Sequence, residues 1–203
     1  MHKSSHEKMK WFKNNYLNEN NHLKILDVGS LDTSKNNYNY RSIFNSNKWV
    51  YEGLDFENGK NVDILVDDIY NFPEVDDDAY DVVISGQLFE HLGFFWLTMG
   101  EISRVLKPGG LCCIIAPSGG PKHGFSNVDC YRFFEDGMRA LAYYVDFDVV
   151  HVSTNNSKES QPWCDTCLVA KKRKSFNNPS TTLEDRVSIL ENKVGDLINI
   201  MKK

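Results

Sequence analysis

Long apolar runs and an excess of positive charge are both missing from this 203-residue chain. No apolar segment approaches the roughly 18 residues that a membrane-spanning helix needs, and the first residues lack the apolar run of a secretory signal. Lysine and arginine together number 23 against 28 aspartate and glutamate residues, which gives a formal net charge of −5. An acidic chain without a basic face is poorly suited to a nucleic-acid backbone. We therefore expect a cytoplasmic protein with no membrane span that does not bind nucleic acid.

Cysteine pairs at ligand spacing are also scarce. Of five cysteines, only Cys164 and Cys167 have the C-x-x-C spacing of metal and redox sites. One such pair supplies half of a structural zinc site, and this pair lies at a predicted strand instead of at a helix N-terminus, where redox pairs are found. We expect reduced thiols that fill apolar space, and the sequence predicts no metal site.

Glycine is sparse in the loop that follows the first predicted strand. The strand "LKILDV" (Leu23–Val28) runs into Gly29 and Ser30, but the following "LDTSKNN" contains no further glycine. A dinucleotide-binding loop uses G-x-G-x-x-G to cradle a pyrophosphate. This loop is therefore either a buried strand end or a site for a ligand that carries no phosphate at this position.

Apolar strands alternate with helical patterns along residues 1–174. Strands are predicted at Leu23–Val28, Trp49–Phe56, Val62–Asp68, Tyr80–Gln87, Leu111–Pro117, Phe147–Ser153 and Cys167–Lys172. Helices are predicted at Met1–Asn20, Tyr38–Asn47, Phe89–Leu106 and Tyr131–Tyr144. Apolar strands alternating with helices predict an α/β fold whose mostly parallel sheet is covered on both faces. Because no helix separates the last two of the seven strands, the last strand is expected to be antiparallel.

Residues 175–203 carry a different pattern. Leucine, valine and methionine recur at alternating spacings of four and three from Leu183 to Met201, as in the heptads of a coiled coil. Thr181 and Glu184 form a capping box at its start. A helix packed on its own domain is the alternative, since three heptads that include Gly195 are short for an isolated coil. We expect a linker and a coiled-coil helix that joins two copies of the chain as a homodimer.

Acidic side chains or glycine end each of the first three predicted strands. Ligands of such sheets bind at the carboxyl ends of the strands, where the strand order reverses. A lone acid at a strand end is commonly a cap or a solvated turn, so the ordered set is the signal. An adenosyl ligand fits this set. Asp27 can hold a cationic amino group, Gly29 permits close approach, Asp55 can accept both ribose hydroxyls, and Asp68 can meet an adenine amino group beneath Ile69.

Five segments of the chain resemble class I S-adenosylmethionine-dependent methyltransferases. They are "ILDVGS", "YEGLDF", "DDIYNFP", "YDVVISGQLFEHL" and "RVLKPGGLCCIIAPS", which span Leu23–Pro117. The resemblance implies a Rossmann-like seven-stranded sheet over residues 1–174 and S-adenosylmethionine as the cofactor. The cofactor-binding residues that it implies are Asp27, Gly29, Ser30, Leu31, Asp55, Phe56, Asp68, Ile69 and Gln87.

The loop after the fifth strand resembles a segment of methyltransferases from sugar and surface-polysaccharide pathways. In "SGGPKHGFSNVDCYRFFEDGMRAL" a histidine, "DC" and "RF" precede the next helix, and this loop is expected to overhang the methyl group. We expect methyl transfer to an oxygen or nitrogen of a small polar molecule, with anionic and sugar-linked acceptors among the candidates, in capsule or surface-glycan biosynthesis. Candidate catalytic residues are His91 and His123, and candidate substrate contacts are Glu90, Asp129, Tyr131 and Arg132.

Alternatives remain open at these positions and for the protein as a whole. His91 can instead bond backbone at a helix start, and Arg132 can pair with Asp129 or Asp136 instead of an anionic substrate. A histidine base helps only where the acceptor needs to lose a proton. The chain could also be an inactive cofactor-binding scaffold that docks through its coiled tail, or a nucleotide-sugar enzyme on a related sheet.

Overall fold

The computed structural model describes residues 3–33, 39–123 and 128–174. The predicted linker and coiled-coil helix at 175–203, and with them the predicted dimer contact, lie outside the described residues. Among the described residues, no helix is long and apolar enough to span a membrane.

Strands and helices alternate over most of the described chain. The strands are β1 (Leu23–Val28), β2 (Trp49–Asp55), β3 (Ile64–Leu65), β4 (Tyr80–Gly86), β5 (Leu106–Pro117), β6 (Phe147–Thr154) and β7 (Asp165–Lys172). The α-helices are α1 (Lys3–Tyr16), α2 (Phe95–Val105) and α3 (Glu135–Tyr144), with short 3-10 turns at Phe89–His91 and Lys158–Ser160.

The seven strands form one sheet in the order β3-β2-β1-β4-β5-β7-β6. Strands β1 to β5 pair parallel with their neighbours, whereas β7 pairs antiparallel with both β5 and β6. The antiparallel last strand is therefore confirmed. The strand order reverses between β1 and β4, so the carboxyl ends of these two strands border the crevice where α/β sheets bind ligands.

Helix α1 covers one face of the sheet. Its fully buried Met9 and Phe12 belong to one apolar cluster with Ile25 of β1, Ile84 of β4 and Val169 of β7. Successive residues of a strand face opposite sides, so the residues next to these in the strands face the other layer.

Helices α2 and α3 cover the opposite face. Met99 and Ile102 of α2 and Met138 of α3 are fully buried in a second cluster with Leu26 of β1 and Val83 of β4. Helices thus lie on both faces of the sheet, as the alternation of strands and helices predicts.

The predicted helix at 38–47 is wrong over its described residues, which form turns. Ile43 and Phe44 nevertheless face inward, as expected. Asn39 uses its carbonyl and its side-chain oxygen to accept hydrogen bonds from the Ser42 hydroxyl (3.2 Å) and the Ser42 N–H (3.4 Å). Such local side-chain bonds offer the backbone an alternative to the helix.

The predicted helix at Phe89–Leu106 is divided into a 3-10 turn and α2. At the break, the Gly93 N–H donates to the Tyr70 hydroxyl at 3.0 Å, and the Gly93 carbonyl accepts from the Tyr131 hydroxyl at 3.1 Å. Because side chains satisfy both backbone groups of Gly93, the continuous helix is lost at this point.

Two other predicted elements are shorter than expected. The third strand, predicted at Val62–Asp68, is reduced to the two residues of β3. The helix predicted from Tyr131 begins only at Glu135, because the preceding backbone N–H groups bond elsewhere. Cys130 N–H donates to the Glu90 carbonyl at 2.7 Å, and Phe133 N–H donates to the Pro117 carbonyl at 2.8 Å.

Candidate active site

A left-handed glycine forms the turn at the end of β1. Gly29 has φ +82°, and a Cβ atom placed there would lie 2.7 Å from Cδ2 and 2.9 Å from Cβ of Leu88. The backbone N–H groups of Gly29 and Ser30 both donate to the Leu54 carbonyl, at 2.9 and 3.1 Å. The turn therefore needs glycine for its dihedral angle and for its packing, and it bends the chain across the end of β2.

Side chains hold the rest of this loop where further glycines are missing. Ser30 Oγ donates to the Asn61 carbonyl at 3.0 Å, and Asn61 Nδ2 donates to the Ser30 carbonyl at 2.8 Å. The Leu31 N–H donates to Asp55 Oδ2 at 2.9 Å. The loop from Gly29 to Leu31 is thus fixed against β2 and the turn beyond it by polar side chains.

Asp55 lies at the carboxyl end of β2 and is 5% exposed. Its carboxylate accepts the Leu31 N–H at Oδ2 and the Glu57 N–H at Oδ1, the latter at 3.2 Å. Burial raises the pKa of Asp55, against the opposing effect of these backbone hydrogen bonds. The Phe56 N–H is a further backbone hydrogen-bond donor to this carboxylate, which has about four lone-pair sites in all. The neighbouring Phe56 ring is 46% exposed.

Asp27 is a buried carboxyl group with one orphaned oxygen. The side chain is 2% exposed, and its Oδ2 accepts a hydrogen bond from the Tyr51 hydroxyl. Among the described residues, Oδ1 has no hydrogen-bond partner. Burial raises the pKa of Asp27 to about 7. A cationic amino group bound at Oδ1 would satisfy this oxygen and favour the ionised carboxylate, so the site fits the amino group of S-adenosylmethionine.

Asp68 and Ile69 both form hydrogen bonds with neighbouring groups of the protein. The Asp68 side chain is exposed, and its Oδ1 accepts the Tyr70 N–H at 2.8 Å, as in a turn cap. Ile69 is 6% exposed within the apolar cluster beneath α2, and its carbonyl accepts the Thr98 hydroxyl at 3.1 Å. The structure thus gives Asp68 the turn-capping interaction that a lone acid at a strand end commonly has.

Gln87 follows β4 with a positive φ of 61°. Its N–H donates to the Ile115 carbonyl at 2.9 Å, and its Nε2 donates to Asp165 Oδ1 at 3.1 Å. Asp165 is fully buried, and its Oδ2 accepts a hydrogen bond from Ser4 Oγ at the start of α1. The N-terminal helix is therefore bonded to the end of β4 through the first residue of β7, a link that no sequence spacing indicates.

Glu90 and the two candidate histidines meet beyond the end of β4. Glu90 is 0% exposed, neither of its carboxylate oxygens has a hydrogen-bond partner among the described residues, and burial raises its pKa to about 8. His91 Nε2 lies 3.7 Å from Glu90 Oε1, and His91 Nδ1 lies 2.7 Å from the Val128 carbonyl. The rings of His91 and His123 are 5.0 Å apart between centroids. The structure thus brings both candidate catalytic residues together.

Arg132 and Asp129 form a bidentate ion pair beside this cluster. Arg132 Nη1 lies 2.6 Å from Asp129 Oδ1, and Nη2 lies 2.8 Å from Oδ2. The Arg132 guanidinium holds the pKa of Asp129 well below its usual range, and Asp129 raises that of Arg132. Of the two interpretations of Arg132, the structure therefore shows the pair with Asp129. Asp129 also accepts the His123 N–H at 2.7 Å.

Aromatic side chains border the site near the start of β7 and next to α2. The Trp163 ring lies 4.3 Å from the His123 ring between centroids, although 39 residues lie between the two in the chain. The Tyr131 ring packs edge-on against Phe95, with 4.9 Å between ring centroids, and its hydroxyl donates a hydrogen bond to the Gly93 carbonyl. Tyr131 is thus a packing residue in this structure.

A model of the methyltransferase domain family matches residues 21–114. No curated protein matches the chain. Among solved structures, the chain is similar to the Burkholderia thailandensis 1,6-didemethyltoxoflavin-N1-methyltransferase with bound S-adenosylhomocysteine, at 12% identity and TM-score 0.63, covering 84% of this chain and 79% of that one. An Aquifex aeolicus S-adenosylmethionine-dependent methyltransferase matches at 17% identity and TM-score 0.56, covering 81% and 87%.

The sheet order, the glycine turn and the family match define the class of this protein. Residues 21–114 carry a methyltransferase domain of this family, for which binding of S-adenosylmethionine is typical. The solved structures share its fold at low identity, and one of them is the [4+2]-cyclase SpnF, at 13% identity and TM-score 0.63, covering 83% of this chain and 80% of that one. The comparisons give no support to the resemblance to sugar-pathway enzymes.

Proposed function

We propose that this protein transfers the methyl group of S-adenosylmethionine to an oxygen or nitrogen atom of a small polar molecule. The observation that carries this proposal is the position of two polar groups beyond neighbouring strands. Asp27, with its orphaned oxygen, ends β1, and the fully buried Glu90 follows β4 with His91 beside it. The first suits the cofactor, and the second suits a polar acceptor.

The cofactor half of the site is proposed along β1 and β2. Asp27 Oδ1 would bind the cationic amino group, Asp55 would accept the ribose hydroxyls, and Gly29 would let the backbone approach. The sulfonium supplies an activated methyl group, so positioning accounts for much of the rate. The remaining proposed cofactor contacts are Ser30, Leu31, Phe56, Asp68, Ile69 and Gln87.

The acceptor half is proposed around His91 and His123, which are the proposed catalytic residues. Glu90 is buried beside His91, and its carboxylate has no hydrogen-bond partner among the described residues. Since Asp129 already occupies the fork of Arg132, an acceptor with hydroxyl or amino groups is favoured over an anionic one. Asp129, Tyr131 and Arg132 would shape the acceptor pocket more than they would bind charge.

Two finer predictions are supported by the sequence alone. The surface-glycan pathway is supported only by the likeness of the loop after β5 to sugar-pathway methyltransferases. The homodimer is supported only by the heptads of residues 175–203. Both stay predictions.

An inactive cofactor-binding scaffold is the competing function, because fold alone does not determine chemistry. The cyclase on the same fold illustrates this point. Calorimetry with S-adenosylmethionine and S-adenosylhomocysteine, followed by detection of S-adenosylhomocysteine release with a panel of hydroxyl and amine acceptors, separates the two functions. Binding without turnover across the panel would favour the scaffold.

Asp55→Ala tests the proposed geometry of the cofactor site. Loss of a carboxylate that binds two hydroxyls should weaken cofactor affinity by about tenfold or more, since hydrogen bonds to a charged group contribute about 1.5–3 kcal/mol each. Asp76→Ala, which removes an exposed acid in the loop before β4, should leave affinity unchanged. Equal affinity in the two variants would contradict the assignment of Asp55.

A further inference from the structure

Glu90, His91 and His123 form a compact cluster of possible metal ligands. One ligand atom from each residue lies within 4.8 Å of the other two. Glu90 and His91 are adjacent in the chain, whereas His123 comes from the loop after β5. Folding thus brings two imidazoles and one carboxylate together on the acceptor side of the proposed methyl-donor site.

The buried, unpartnered carboxylate of Glu90 is the strongest indication that this cluster binds a ligand. The side chain has no exposed surface, and neither carboxylate oxygen has a hydrogen-bond partner among the described residues. Buried polar groups are almost always satisfied, and a buried carboxylate without a partner is costly. Within the cluster, His91 Nε2 lies 3.7 Å from Glu90 Oε1. A ligand between these two atoms would satisfy both.

The hydrogen bonds of His91 orient it as a ligand. Its Nδ1 lies 2.7 Å from the Val128 carbonyl, and a carbonyl can only accept a hydrogen bond. Nδ1 must therefore carry the proton, so in the neutral ring Nε2 keeps its lone pair on the side of Glu90. Metal-binding histidines commonly donate a hydrogen bond from the N–H of their second ring nitrogen to a backbone carbonyl in this way.

His123 has a carboxylate behind it. Its Nδ1 lies 3.3 Å from Asp129 Oδ2, and Asp129 is itself fixed by Arg132. A carboxylate that orients a histidine is a recurrent second layer around metal ions. The Trp163 ring, 4.3 Å from that of His123, restricts its movement further.

We propose that Glu90, His91 and His123 bind a divalent transition-metal ion such as Zn²⁺. Two imidazoles and one carboxylate are a ligand set that zinc and iron enzymes use, with open positions left for substrate. Bonds of about 2.0–2.1 Å in a tetrahedral site place ligand atoms about 3.4 Å apart, so ligand atoms that now lie within 4.8 Å of one another need to approach by at most about 1.4 Å around the ion. The sequence predicts no metal because no ligand spacing links residues 90 and 123.

The role of the ion at this site rests on the proposed function. An acceptor hydroxyl at an open position would have its pKa lowered by the metal. The hydroxyl proton would leave to solvent, the hydroxyl oxygen would form the new bond to the methyl carbon, and the carbon–sulfur bond would break with its electron pair kept by sulfur. The two histidines would then act as ligands instead of proton acceptors, and the favoured acceptor is an alcohol or phenol.

Metal binding is measured on the full chain after removal of metal with EDTA and dialysis. Calorimetry with ZnCl₂, and the visible absorption of added Co²⁺, should show one equivalent bound. His91→Ala and His123→Ala should each weaken binding by at least tenfold. His22→Ala, at an exposed position before β1, is the matched control and should bind as the parent does. Thermal unfolding of each variant shows whether it is folded, and the partly exposed His123 is the safer of the two site variants.

Absence of stoichiometric binding by Zn²⁺, Co²⁺, Mn²⁺, Ni²⁺ and anaerobic Fe²⁺ would overturn the proposal. Binding retained in folded His123→Ala would do the same. These measurements contain no S-adenosylmethionine, so they separate the two proposals. A chain that binds metal but catalyses no methyl transfer loses only the proposed function, and an active chain that binds no metal loses only the metal site.

Discussion

Replacing Gly29 by alanine tests whether the turn after β1 is fixed by backbone strain and by packing together. The residue has φ +82°, and the added Cβ would lie 2.7–3.0 Å from three atoms of the Leu88 side chain. A non-glycine residue in the left-handed region costs roughly 1–2 kcal/mol. Overpacking a well-filled site costs roughly 1–3 kcal/mol more. The free energy of unfolding should therefore fall by about 2–5 kcal/mol.

Gly100→Ala is the matched control for this change. Gly100 lies inside α2, and an added Cβ there meets no atom within 4 Å. Alanine in a helix interior is more stable than glycine by roughly 0.5–1 kcal/mol, so this variant should gain stability. Urea unfolding followed by circular dichroism measures both, and calorimetry with S-adenosylhomocysteine measures whether cofactor affinity falls with Gly29→Ala alone.

The reasoning on Gly29 fails if both variants have the stability of the parent. The packing argument also fails if Gly29→Ala is destabilised while Leu88→Ala, which removes the clashing Cδ2 and Cγ atoms but keeps Cβ, restores none of the loss in the double variant. In that case the contact with the outer part of the Leu88 side chain would contribute nothing to the cost.

Two further predictions concern Asp27 and the core. Burial places the pKa of Asp27 at about 7, above its ordinary value of 3.8, so the folded state holds its proton more tightly than the unfolded state. The contribution of this group to the free energy of unfolding is complete below pH 3.8 and falls as pH rises towards 7. In urea unfolding from pH 4 to 8, the free energy of unfolding should therefore decline less in Asp27→Asn than in the parent. Parallel pH profiles of the two proteins would contradict this expectation. Phe12→Ala, at a fully buried position on α1, should lose about 3–5 kcal/mol of unfolding free energy. Exposed Lys10→Ala should change it by less than about 0.5 kcal/mol, and equal losses would reject the packing of α1.

The strand ends could be predicted because the sheet brings them together. Asp27, Gly29 and Asp55 end neighbouring parallel strands, and their proximity follows once the strand order is known. The antiparallel β7 followed in the same way from the missing helix before it. Local patterns of apolar residues therefore determine this half of the site.

The proposed acceptor half of the site depends on contacts that no local pattern encodes. His91 faces His123 because loop backbone at Val128 bonds to its ring, and Ser4 reaches Asp165 across most of the chain. The helix predicted at 38–47 failed because Asn39 and Ser42 satisfy each other locally. In each case hydrogen bonds of particular polar groups determine the local structure, whereas the sequence-based prediction relied on the spacing of apolar residues.

The double use of Asp55 has a thermodynamic consequence. One of its oxygens holds the Leu31 amide of the loop, and the same carboxylate is the proposed partner of the ribose. Ordering of the loop and occupancy of the cofactor site then become linked equilibria. The Leu31 amide proton is accordingly a reporter, because its rate of exchange with deuterated solvent follows how firmly the carboxylate is held in place.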